Sequence, residues 1–214
     1  MRERKSAEAR KAQIIEATLR LADKLGPERL TTETIAKHVG ITQPGLFRHF
    51  PTKDQLWEAV AHFVGSRLEE SWTAVKDTNE PASQQLRALL CTQLRLIQAI
   101  PAIPAILFSR ELHVHRESLR KGFYELMQHF QKILTEIIAR GCASGEFRPE
   151  VKPEEAALLM VSIIQGTTLR WSLSDRAFDL AAEGERLFDQ LLCGLTACKR
   201  DPAGYPLAPE TNRE

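Results

Sequence analysis

Gln43 and Arg48 lie five residues apart in the run TTETIAKHVGITQPGLFRHFPTKDQL, residues 31–56. Both side chains can read base edges. A glutamine amide pairs with adenine N6 and N7, and a guanidinium with guanine O6 and N7. Each such pair contributes about 1–3 kcal/mol of discrimination. Around them stand Thr31, Thr32, Thr42, His49 and Lys53, whose hydroxyl, imidazole and ammonium groups suit phosphate oxygens. Phosphates supply most of the affinity for DNA, and base edges supply the specificity. Pro44 and Phe47 offer only apolar contact, as to a thymine methyl.

Two short helices joined by a tight turn would position these groups. Thr31 is suited to cap the first, its hydroxyl accepting from a free backbone N–H. Ile35, Ala36 and Val39 share one face, and Gly40 stands where a left-handed residue would end the helix. Ile41 plugs the space between the helices, Thr42 caps the second, and Pro44 falls in its first turn, where a missing N–H costs little. Leu46 and Phe50, four apart, turn inward. Gln43, Pro44, Phe47, Arg48 and His49 are left to face a major groove, as the second helix of a helix–turn–helix does.

This stretch resembles the DNA-binding signature of TetR-type transcriptional regulators. In that pattern a capped helix with Ile-Ala is followed by a Gly turn, a Ser or Thr cap, Leu-Tyr-x-His-Phe and a Lys. Here it reads Thr31, Ile35-Ala36, Gly40, Thr42, Leu46-Phe47-Arg48-His49-Phe50 and Lys53, about a quarter of the chain. The remainder resembles the family only in length and helical layout. Phe47 replaces the usual Tyr, which removes a phenolic contact to phosphate. Pro44-Gly45 replaces the frequent Gly-Ala, and Gly45 should soften the helix by about 1 kcal/mol relative to Ala. The resemblance implies a homodimer with a small-molecule cavity in each subunit. It also implies repression at a near-palindromic operator with half-sites about 34–36 Å apart or a multiple of that.

Charge distribution agrees with double-stranded DNA as a partner. The 214-residue chain nets +1, yet residues 1–53 hold eleven Lys or Arg against six Asp or Glu. That surplus of five leaves the remainder at −4, so a polyanion is met at one end only. Cys91, Cys142, Cys193 and Cys198 form no C-x-x-C pair and fit a reducing cytosol. No N-terminal apolar signal is evident, and no run nears about 18 consecutive apolar residues. A cytoplasmic protein without a membrane partner is expected.

Periodicity gives an all-α chain of about nine helices. A helix–turn–helix domain spans 1–53, a helical effector-binding and dimerisation body 54–199, and a disordered tail 200–214. Residues 1–11 form a basic lead-in, read either as a frayed terminus or as an arm touching DNA. A helix from Ser6 to Leu25 backs the helix–turn–helix. The fourth helix starts at Lys53 and the fifth covers 82–100. PAIP at 101–104 breaks the fifth, and a sixth begins at Ile106 and carries Glu111, His113 and His115. The seventh runs through Phe123 and Ile138 towards Gly145. The eighth starts at Pro153, is apolar enough to be buried on most sides, and is interrupted at Gly166. The ninth carries Leu180 to Leu195.

For a small, apolar or amphipathic effector the candidates are Phe108, Phe123, Met127, Phe130, Met160 and Trp171, with Gln165 and Thr168 as polar handles. For a dimer face they are Ile163, Gly166, Leu169, Leu187, Gln190, Leu191 and Gly194. No cofactor or metal is expected, because His113 and His115 are two apart and would leave a helix on different faces. An enzyme is not expected either: no nucleophile–base pair or phosphate loop is visible, and Glu154-Glu155 suits the positive end of a helix dipole. The competing function keeps DNA binding and gives the body a protein partner in place of a small molecule.

Overall fold

The computed structural model describes residues 6–76 and 78–196. Ten α-helices follow one another: α1 Ala7–Leu25, α2 Thr32–Val39, α3 Gln43–Phe47, α4 Lys53–Lys76, α5 Ala82–Ala99, α6 Ala102–Leu107, α7 Arg110–Val114, α8 Glu117–Ala143, α9 Pro153–Leu173 and α10 Leu180–Leu195. Among the described residues the only β pairing is an isolated bridge between Phe147 and Thr196. The basic lead-in through residue 5, Cys198 and the expected tail lie outside the described residues.

The head, α1 to α3, closes over Ile14, Ala17, Leu30, Ile35, Ala36 and Leu46, all buried. α4 begins in this head and runs into the body, where it packs on α5 and α8. There Trp72 donates its indole N–H to Gln93 Oε1 at 2.7 Å and stacks on Phe130 at 4.7 Å between ring centres. In the body α5 lies against α10, and α8 against α9. Among the described residues, polar links join the head and the base of α4 to the rest of the body. Ser109 donates to Glu28, Arg116 Nε meets Asp54 Oδ1 at 2.7 Å, and Arg176 meets Asp23.

The segment after α5 differs from expectation. PAIP does end α5, at Ala99, but the next helix starts at Ala102 and not at Ile106: Pro101 occupies the N-cap position of α6, and Pro104 is its third residue. The first turn needs no intrahelical N–H, so a proline there loses no bond. Ser109 then starts a separate helix, its Oγ accepting from Leu112 N at 3.1 Å. One expected helix is therefore two, which accounts for ten in place of about nine. α5 has no side-chain cap of its own. Glu146, from the loop after α8, supplies it, accepting from Ala82 N at 2.8 Å and Ser83 N at 2.9 Å.

α9 corrects two further expectations. It runs unbroken through Gly166, where an added Cβ would meet nothing within 4 Å. Nor is it buried on most sides: Leu158 and Leu159 are each 53% exposed and Leu173 79%. By length and composition alone it is apolar enough to cross a membrane. Counting consecutive apolar residues passes over it, because Ser162, Gln165 and Thr167 interrupt the run.

Two glycines mark where helices approach most closely. A Cβ on Gly184 of α10 would enter the Leu94 side chain of α5, and one on Gly141 of α8 would enter the Phe147 ring. Overpacking a filled core costs about 1–3 kcal/mol, so Gly184→Ala and Gly141→Ala should each lower Tm by roughly 2–10 °C. Gly122→Ala, with open space around it, should leave Tm unchanged or raised. Scanning calorimetry of the three variants checks this.

Candidate nucleic-acid interface

Backbone caps hold the helix–turn–helix. Thr31 Oγ1 accepts from Thr34 N at 3.1 Å and starts α2. Gly40 ends it in the left-handed region at φ 75°, and Ile41 N reaches back to Ala36 O at 3.0 Å. Thr42 Oγ1 accepts from Gly45 N at 3.2 Å and starts α3. A Cβ on residue 45 would stand 3.2 Å from that same hydroxyl, so glycine here keeps the cap uncrowded. Leu46 and Phe50 are buried and anchor the helix.

That anchoring leaves Gln43, Pro44, Phe47 and Arg48 exposed together, with His49 half-buried behind them. Thr42 is exposed at the start of α3 and Thr31 at the start of α2. Thr32 is placed differently. It is buried, and its hydroxyl accepts from Gln43 Nε2 at 2.7 Å. It therefore orients the glutamine amide from behind the exposed groups. Thr52 Oγ1 accepts from Gln55 N at 3.1 Å and caps α4, which puts Lys53 at that helix's positive end.

Partial burial lowers the Lys53 pKa from its ordinary value, and the nearby Arg116 guanidinium lowers it further, against the pull of Asp54 and Glu111. Arg116 comes from the start of α8, sixty residues on. Sequence reasoning missed it because nothing in the local pattern links it to Lys53.

The body contains a cavity of about 70 Å³. It lies between α4, α5, α6, α8 and α9. Of the eight residues expected around an effector, Phe108, Phe123, Met127, Phe130, Gln165 and Thr168 line it. Met160 and Trp171 do not; both are buried in the core elsewhere. Phe108 lines the cavity yet is 39% exposed, so it stands at the mouth. The sequence reading missed Trp72 and Gln93, on α4 and α5, and the aliphatic wall of Val64, Leu68, Ile97 and Leu107. His113 donates its Nε2–H to Leu107 O at 2.9 Å, and His115 is exposed at the end of α7.

The residues expected at a dimer face lie on the outer side of α9 and α10. Gly166, Leu169, Leu187, Gln190 and Gly194 are exposed, while Ile163 and Leu191 are half-buried. Leu159, Gly166, Leu169 and Leu173 recur at helical spacing along one stripe of α9, and all four are exposed. Leu158, Leu159 and Leu173 were not anticipated, because a helix apolar all round does not show which side faces out.

The comparisons with known proteins agree with this architecture. Residues 14–60 match the bacterial regulatory proteins of the tetR family, and residues 60–194 match the C-terminal region of YsiA-like proteins. Nucleoid occlusion factor SlmA of Vibrio campbellii is 25% identical over 190 residues, covering 88% of this chain and 94% of that one. A TetR transcription regulator from Haloarcula marismortui superposes with a TM-score of 0.77 at 22% identity, covering 89% of this chain and all of that one. The regulator FadR from Bacillus subtilis, solved in complex with stearoyl-CoA, superposes with a TM-score of 0.72 at 22% identity, covering 86% and 98%. With its capped helix–turn–helix and all-α body, the chain belongs to the TetR family of bacterial regulatory proteins and is a DNA-binding transcriptional regulator.

Proposed function

We propose that this regulator is a ligand-responsive repressor. It binds a near-palindromic operator as a homodimer and is released when a small, apolar or amphipathic effector enters the body cavity. Residues 6–53 act as the reading head, and the helices from α4 onward act as the effector-binding and dimerisation body. One observation carries this reading. Leu107 and Phe108 line the cavity, and the next residue, Ser109, donates its hydroxyl to Glu28 of the head. A ligand that shifts the end of α6 therefore pulls on the head. DNA weakens by the ligand's differential affinity for the two poses. The stearoyl-CoA held by FadR supports an apolar occupant for a body of this fold.

In this reading Gln43 and Arg48 meet base edges, Pro44 and Phe47 pack on them, and Thr31, Thr42, His49 and Lys53 meet phosphates. Thr32 holds Gln43 in place. Two copies join through the outer stripe of α9 and the Leu187–Gly194 face of α10, in a four-helix arrangement. A contiguous apolar face of this kind is uncommon on a monomer.

A second reading keeps the DNA-binding head and gives the body a protein partner. Two observations favour it. A cavity of about 70 Å³ is small beside the roughly 300–1,000 Å³ of ligand sites, and the matched relative is a nucleoid occlusion factor. Binding to many dispersed genomic sites, with no release by any small apolar compound, would decide for it.

A mobility-shift series with DNA from around the protein's own gene tests the leading reading, and a shift that is absent or insensitive to salt would end it. Lys53→Ala should reduce the slope of log K against log salt by about 1, uniformly across sequences. Arg48→Ala should cost about 1–3 kcal/mol and relax specificity at one base pair.

The Lys53 charge adds a pH signature. Its lowered pKa means the ammonium loses its proton at lower pH than an ordinary lysine. Affinity should therefore fall as pH rises through that pKa, and Lys53→Arg should flatten the alkaline decline at constant salt.

Leu169→Glu combined with Leu173→Glu should give a monomer by sedimentation equilibrium and abolish tight operator binding. An unchanged dimer would move the interface elsewhere.

A further inference from the structure

We propose that the body cavity selects an uncharged carbonyl compound with an apolar body, and that Thr168 makes the selecting hydrogen bond. The inference rests on the effector reading above and specifies its ligand.

Thr168 is 2% exposed, lines the cavity, and its Oγ1 has no hydrogen-bond partner. That is unusual for its position. A helical hydroxyl ordinarily donates to the carbonyl four residues back. On the same helix Ser162 does so at 2.8 Å and Thr167 at 2.6 Å. Thr168 leaves this bond unmade, and the residue borders the cavity. A buried hydroxyl without a partner is destabilising, and a ligand oxygen is what would relieve it.

The other polar side chains in the wall can donate as well. Gln165 Nε2 has only the Met127 thioether sulfur, at 2.9 Å, and a thioether is a weak acceptor. Gln93 has its Oε1 occupied by the Trp72 indole N–H, which leaves its amide nitrogen for an acceptor. One partnerless hydroxyl and two amide NH₂ groups can therefore donate to a ligand oxygen.

Among the described residues no Asp, Glu, Lys, Arg or His lines the cavity. A carboxylate would lose its water and find no cation, and an ammonium would find no carboxylate; either loss is large in an apolar space. A neutral carbonyl satisfies the donors at no such penalty. The rest of the wall is aliphatic, aromatic or thioether, which suits a hydrocarbon chain or ring. Met127, with its flexible unbranched side chain, and Phe108 at the mouth are placed to move for a ligand longer than the present volume holds.

The test uses the full-length protein and four probes of matched chain length: methyl octanoate, octanoate, nonane and octanoyl-CoA. Binding is followed by intrinsic tryptophan fluorescence, since Trp72 forms part of the wall. Methyl octanoate should bind about tenfold tighter than nonane and at least tenfold tighter than octanoate at pH 7. Thr168→Val should remove the advantage over nonane and leave nonane binding unchanged. The unliganded variant should melt no lower than the parent, because the deleted hydroxyl has no partner to lose.

Octanoyl-CoA binding more tightly than the ester would identify a thioester whose charged remainder stays outside; the reverse order would identify a free neutral ligand. Octanoate or nonane binding as tightly as the ester would overturn the carbonyl assignment while sparing the effector reading. So would a Thr168→Val variant that keeps the ester's advantage, or one that melts several degrees lower. Failure of all four probes to bind or to release DNA would count against the effector reading itself.

Discussion

A helix of five residues, Gln43–Phe47, cannot persist alone in water, because the entropy of its first turn is repaid by almost no hydrogen bonds. The head exists to hold it. Thr42 fastens its start, Leu46 and Phe50 bury its inner side, and the left-handed turn at Gly40 sets its angle to α2. Even its outer face is partly pre-set, since Thr32 holds the Gln43 amide. A reading surface ordered before it meets DNA loses less side-chain entropy on binding.

What is held can also be displaced. α4 belongs to both head and body, so the two share one rigid element. Polar links at separate points tie Glu28 of the head to the start of α7, Asp54 at the base of α4 to the start of α8, and Asp23 of the head to the turn after α9. That turn holds Asp175 and Arg176 at positive φ, with Arg176 also lying over the Trp171 ring. The cavity sits between the first of these links and the α9 stripe. Its wall, the head and the outer faces of α9 and α10 are thus mechanically adjacent, and a sub-ångström change in one is felt in packed neighbours rather than absorbed.

The helix–turn–helix was legible from residue types because its determinants are local. A threonine that caps, a glycine at positive φ and a proline in a first turn act within four residues of themselves. The caps at Thr31 and Thr42 and the turn at Gly40 were all expected. The long helices were legible for a similar reason: a stripe of apolar residues at spacings of three and four has one helical solution. The prolines of 101–104 followed local rules too: they end α5 at Ala99, and first-turn tolerance lets α6 start at Ala102, ahead of the expected Ile106.

What the sequence by itself determined, then, is an all-α chain with a helix–turn–helix at a basic end. Tertiary structure alone decided which apolar residues are core, cavity wall or outer face. Met160 and Phe130 are both large, apolar and buried, yet only Phe130 borders the cavity. Leu173 and Leu180 are the same residue type, one 79% exposed and one fully buried. Arg116 meets Asp54, and Glu146 caps α5, across more than sixty residues of chain. Periodicity records the direction of a side chain about its own helix axis, whereas these outcomes depend on which other helix arrives there.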